Sequence, residues 1–175
     1  TTYRTAYEKN TMNLLTTLSS FKGTPWGPAH EVGHANQTRG LRWFGMQEVT
    51  NNIHSMYVQA TFGNQSTLIK DNRYSQALEK FVNKGISHHE INDSDQAGIY
   101  NGVFHKLIPF WQLKLYLMDA LGKKDFYKDL YELYRTNTFT VNGTSTEDGF
   151  YQLKFVENVC QVAKLDLTDF FQSWG

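Results

Sequence analysis

A single cysteine, Cys160, leaves the chain with no intrachain disulfide framework and no cysteine-built zinc site. Its setting, FVENVCQVAKL, reads as the inward face of a helix, so the thiol is expected in the core. Long apolar runs are also missing: no window approaches the roughly 18 consecutive apolar residues of a membrane-spanning helix. The opening TTYRTAYEKN has no charged-then-apolar signal pattern, and a soluble chain with no transmembrane segment is expected. An excess of charge of one sign is lacking too, since Lys plus Arg equals Asp plus Glu at 17 each. That balance removes the bulk positive field that would point to nucleic acid or an anionic membrane surface. Neither an internal repeat nor a low-complexity linker divides the chain.

What is present fits one packed domain. At 175 residues the chain is long enough to bury most of its apolar surface without staples. Apolar residues make up 40% and aromatics 15%, a globular composition whose rings also suit a cleft. The chain opens on Thr1 rather than Met, and a processed or trimmed piece of a longer protein is expected.

Apolar spacing is helical almost throughout. Met12, Leu14, Leu15 and Leu18 mark a first helix, closed by Gly23, Pro25 and Gly27. Pro28 sits where a helix begins, because the first helical residues make no intrahelical use of their N–H groups. After a turn region around Arg39 to Gly45, Met46, Val49, Ile53, Met56, Tyr57 and Ala60 form one face of a helix of about four turns. Further helices are expected near 73–84, 105–121, 124–135, 150–164 and 167–174, with Pro109 in the first turns of the second of these. TNTFTVNGTSTEDG, rich in Thr and carrying Asn-Gly, reads as a hairpin or ordered loop. The expected fold is mainly α, a multi-helix unit with at most a small hairpin.

The chemistry concentrates in His30-Glu31-Val32-Gly33-His34, which matches H-E-x-x-H. On a helix the two histidines lie one turn apart on one face, so both imidazoles reach a single tetrahedral ion. Random order would produce this pattern about 0.01 times in such a chain, so the match carries weight without deciding the matter. A catalytic zinc site usually takes three protein ligands and one open position. Glu48 opens the next periodic helix, and a reversal at RGLRWFG would return that helix against the first, which makes Glu48 the candidate third ligand. Asn51 and Asn52 follow one turn later, placed to orient a ligand imidazole through its second nitrogen. One Zn2+ per chain is expected, with Glu31 as general base in peptide hydrolysis without a covalent intermediate.

Other residues stay as candidates. Tyr57, Tyr100 and His105 are each able to donate to the oxyanion formed as a carbonyl is attacked, and the sequence does not choose among them. Trp26 and Trp43 flank the metal helices and offer rings for a sugar face, with Arg42 beside them, whereas Trp111 reads as core. His54 falls almost opposite Glu48 on a helix and reads as a non-ligand. His88, His89 and Glu90 read as a polar loop.

WGPAHEVGHANQ and GMQEVTNNIHSMYVQ, with PFWQLKLYL, LGKKDFYKDLYELYR and LDLTDFFQSWG further on, resemble the enhancin and mucin-degrading zinc metallopeptidase family. The resemblance covers most of the chain. It implies a zincin-like catalytic fold, zinc ligands at His30, His34 and Glu48, and the base at Glu31. It further implies secreted or surface-anchored proteins that cleave O-glycosylated, mucin-like substrates. Residues 1–175 would then form one helical subdomain of the catalytic domain, without the upstream β-containing subdomain that usually supplies a cleft wall. A glycan- or protein-binding module that keeps an inactive metallopeptidase fold is the competing function. Glu31 favours the enzyme.

Overall fold

The computed structural model describes residues 7, 9, 12–92, 101–137 and 148–175. Among them the chain forms helices α1 (Met12–Thr16), α2 (Leu18–Gly23), α3 (Trp26–Asn36), α4 (Gln47–Thr50), α5 (Asn52–Thr61), α6 (Thr67–Lys70) and α7 (Arg73–Lys80). After a 3-10 turn at His88–Glu90 follow α8 (Asn101–Leu113), α9 (Phe126–Thr136), α10 (Asp148–Ala163) and α11 (Thr168–Gln172). No strand occurs among the described residues, so the fold is mainly α as the periodicity predicts. The hairpin expected at TNTFTVNGTSTEDG falls largely on residues 138–147, outside the described residues.

The α3 helix starts at Trp26, and Pro28 takes its third position, where a missing N–H is still one of the orphan donors of the first turn. Its end is tied down through Gln37. That side-chain amide donates to the Gln47 carbonyl at 2.8 Å and to Thr50 Oγ1 at 2.6 Å, and Thr50 Oγ1 in turn donates to the Leu41 carbonyl at 2.6 Å. The intervening reversal turns at Gly45, whose φ of +75° is a left-handed conformation that a residue with a Cβ adopts only under strain. These links bring α4 and α5 back along α3, and the α3–α5 pair is the most extensive helix contact in the fold.

Beneath this pair, α8 packs against α4, α5 and α7. Leu41, Met46, Val49, Ile53 and Met56 meet Leu107, Ile108, Phe110, Trp111 and Leu130 in one buried apolar core. Cys160 is partly buried against that core.

Several boundaries differ from the periodic reading: the helix expected from Met46 to Ala60 is divided into α4 and α5, and the one expected over 73–84 ends as α7 at Lys80. The first helix breaks at Thr17 into α1 and α2. The α8 helix begins at Asn101 rather than near 105, so Pro109 lies in its interior. A proline there crowds the carbonyl of the preceding turn and loosens the local ladder. His88 Nε2, from outside the helix, hydrogen-bonds the Lys106 carbonyl at 2.9 Å and satisfies a group next to the disturbance. From Lys114 to Ala120 the helix then continues in π register. That wider winding puts residues five apart on one face, and Lys114 Nζ meets Asp119 at 2.6 Å while covering the Trp111 ring at 5.1 Å.

Candidate metal centre

His30 and His34 project from α3 toward Glu48 on α4. Their Nε2 atoms are 3.2 Å apart, and Glu48 Oε2 lies 3.2 Å from His30 Nε2 and 3.4 Å from His34 Nε2. A tetrahedral zinc site with ligand distances of about 2.0–2.1 Å has donor-to-donor edges of roughly 3.3–3.4 Å, so this triangle fits the ion. Among the described residues no other group of three or more His, Cys, Asp or Glu side chains converges in this way. The Glu48 side chain is 54% exposed and those of His30 and His34 are 22% and 30% exposed, so the cluster opens to solvent.

The tautomer of His30 follows from its neighbour. Asn52 Nδ2 donates to the Glu48 main-chain carbonyl at 2.7 Å, which orients the amide and leaves Asn52 Oδ1 to accept from His30 Nδ1 at 2.8 Å. Ser55 Oγ donates to the same oxygen at 3.2 Å. With its proton held on Nδ1, His30 presents the Nε2 lone pair to the cluster, the form a metal ligand needs. Nothing in the spacing singled out Ser55, although it stands one turn beyond Asn52 on the same helix.

Asn51 behaves differently from its expected role. It does not reach an outer imidazole nitrogen alone: its Nδ2 is 3.0 Å from His34 Nε2, and 3.0 Å and 3.2 Å from His30 Nδ1 and Nε2. Gly33 permits this approach. A Cβ there would overlap the Asn51 carbonyl, so the glycine between the two histidines sets how closely α5 meets α3. Gly33→Ala is expected to push the helices apart, costing about 1–3 kcal/mol of stability as an overpacked contact does. Denaturant unfolding checks this; a midpoint equal to wild type would show that the contact gives way freely.

The family model described as peptidase M60, enhancin and enhancin-like matches residues 1–175. The chain belongs to this family. A mutant form of a functionally unknown conserved protein from Bacillus anthracis, strain Ames, is 34% identical to the M60 chain, with a TM-score of 0.77 over 99% of this chain and 32% of that one. A metallopeptidase from Bacteroides thetaiotaomicron is 26% identical, with a TM-score of 0.67 over 93% of this chain and 26% of that one. A metallopeptidase in complex with Tn antigen is 25% identical, with a TM-score of 0.66 over 93% of this chain and 28% of that one. No curated protein matches the chain. The M60 chain spans about a third or less of the solved structures it matches.

Several candidates of this M60 chain are placed away from the cluster. Trp43 is 3% exposed with its ring against Phe110 and Phe155, so it is a core residue and offers no face to a sugar. Here the spacing misled because position in the turn says nothing about which way a large ring turns; the apolar side of α8 claimed it. His105 is buried, its Nε2 3.1 Å from Gln76 Oε1 and its ring against Phe81, so it serves the α7–α8 contact rather than an oxyanion. The Tyr57 hydroxyl donates to Met118 Sδ at 2.7 Å and faces the π-helical segment, also away from the expected role. Burial, then Asp119, raise its pKa to about 12, which keeps that proton in place. Tyr100 lies outside the described residues. Trp26 remains half-buried against Phe104 and Arg42 is exposed. His54 Nε2 pairs with the Tyr131 hydroxyl at 3.3 Å, on another side of α5.

Proposed function

We propose that this chain carries the catalytic face of a zinc-dependent endopeptidase, with His30, His34 and Glu48 as metal ligands and Glu31 as general base. The observation that carries the reading is the triangle of donor atoms with edges of 3.2, 3.2 and 3.4 Å, with Glu31 between the two histidines in sequence. When bound there, zinc polarises a peptide carbonyl and makes an attacking water more acidic. Glu31 would accept the proton of that water as its oxygen bonds to the carbonyl carbon, and then pass the proton to the amine nitrogen as the peptide C–N bond breaks. Asn52 and Ser55 keep His30 in its ligand tautomer throughout.

The substrate reading is a peptide or glycoprotein bearing O-linked sugars, acted on outside the cell or at its surface. It is supported by family membership and by the structural likeness to a metallopeptidase in complex with Tn antigen. Trp26 and Arg42 are the residues offered for sugar contact, one with a partly open ring and one with an exposed guanidinium. A cleft whose polar groups are set for sugar hydroxyls leaves them unpaired on a bare peptide, at about 1–3 kcal/mol each. Two such groups give more than a tenfold preference.

The test is kcat/KM of the full-length protein on matched glycosylated and bare peptides, before and after chelation and with zinc restored. Cleavage that requires zinc and favours the glycosylated peptide by about tenfold or more is the expected result. Equal values would reduce the protein to a general zinc peptidase. Glycopeptide binding without any cleavage would assign the chain to an inactive binding module instead.

A further inference from the structure

Asn51 joins α4 to α5 and is completely buried. Its main chain is held by the close approach to Gly33, which leaves the side chain little freedom to withdraw from the histidines. The amide nitrogen lies 3.0 Å from His34 Nε2. Being nearly equidistant from both nitrogens of His30, at 3.0 and 3.2 Å, it lies against that ring rather than in line with a lone pair. The other end of the amide, Oδ1, is buried with no hydrogen-bond partner. An unsatisfied buried carbonyl of this kind costs about 1–3 kcal/mol, so a half-engaged amide beside a cluster of metal-ligand type calls for an explanation.

Resting on the zinc-site reading above, we propose that Asn51 is a positioning residue that controls metal loading, its carboxamide turning its oxygen toward the cation that His30, His34 and Glu48 hold. The two ends of a carboxamide exchange places by a half-turn of the group, with no change in shape. While the Nε2 lone pairs are free, the NH2 end is the favourable one to face them. A cation that takes both lone pairs removes those acceptors and sets positive charge against the amide protons. The oxygen end then faces the charge instead, the NH2 end takes the buried place that the oxygen held, and the attraction between the oxygen and the cation decides the orientation. Because the amide is neutral, it does so without changing the net charge of a site built from two imidazoles and one carboxylate. Asn51 forms the buried wall of the cluster, whereas Glu48 stands half open to solvent, so the open side is left for substrate.

Zinc affinity is measured on the metal-free full-length protein by competition with a chromogenic chelator, alongside the visible spectrum of the Co2+-substituted protein. Asn51→Ala is expected to weaken zinc binding by about 10–100-fold, the usual effect of removing a group that supports the ligands, and to alter the Co2+ band. Asn51→Asp, which presents an oxygen in either orientation, is expected to recover wild-type affinity or exceed it. Circular dichroism and thermal unfolding of both variants separate binding from folding. A purely structural asparagine predicts that both variants lose stability while the folded protein binds zinc within about twofold of wild type; that result overturns the proposal, as does an Asp variant as weak as the Ala variant. Wild-type protein that takes up no zinc would overturn the zinc-site reading itself, and with it this one.

Discussion

Glu31→Gln is expected to leave zinc content unchanged and to lower kcat of the full-length protein by about 10²–10⁴-fold, the range that a positioned general base contributes. Glu31 follows His30 on α3 and is followed three residues later by His34, so its backbone is held by the same helix that holds both imidazoles. It is part-exposed. The amide of glutamine keeps the length and shape of the side chain but does not accept a proton from water. Binding contacts common to substrate and transition state survive, so KM should move far less than kcat. The measurement is steady-state kinetics with zinc content determined on the same samples. Wild-type turnover by the variant would remove Glu31 from the base role; loss of zinc along with turnover would show instead that the substitution disturbs the ligands.

The second large effect is expected from Glu48→Ala, which should abolish stable zinc binding. Glu48 Oε2 is the only anionic atom in the donor triangle among the described residues, 3.2 and 3.4 Å from the two imidazole nitrogens. Without it two neutral imidazoles face a dication, short of the three protein ligands of a catalytic zinc site. The loss should exceed the roughly 100-fold upper range seen when only a supporting residue is removed. Glu48 is half exposed, so the fold should survive and the effect should be confined to the metal. Elemental analysis after dialysis checks this, with His54→Ala as the comparison, because His54 pairs with Tyr131 and should retain zinc. One zinc per chain in the Glu48→Ala protein would remove Glu48 from the ligand set.

Much of the helical framework was legible because helix periodicity is a local property. Met46, Val49, Ile53 and Met56 recur at the spacing of one helix face and are all buried on it. The helix carrying Pro109 is expected to start near 105 because a proline is best tolerated in a first turn, whereas α8 starts at Asn101 and holds Pro109 in its interior; a contact from outside the helix, His88 Nε2 to the Lys106 carbonyl eighteen residues on, lies beside it and leaves no local sequence signal. The π register from Lys114 to Ala120 is not anticipated either, because the apolar spacing is read on the α-helical period.

By itself, then, the sequence determined the mainly helical class, the pairing of His30 and His34 on one helix face, the placing of Glu31 between them, and Glu48 at the head of the next amphipathic helix. All of these follow from periodicity and from residue type along a short stretch of chain. Tertiary structure alone decided that Glu48 comes within 3.4 Å of both imidazoles, that Asn52 rather than Asn51 holds the outer nitrogen of His30, and that Trp43 and His105 are core. Each of these depends on how closely and at what rotation two helices meet. That is set by Gly33 lying against the Asn51 carbonyl and by the Gln37–Thr50 link between α3 and α4, contacts between residues far enough apart in the chain that spacing carries no record of them.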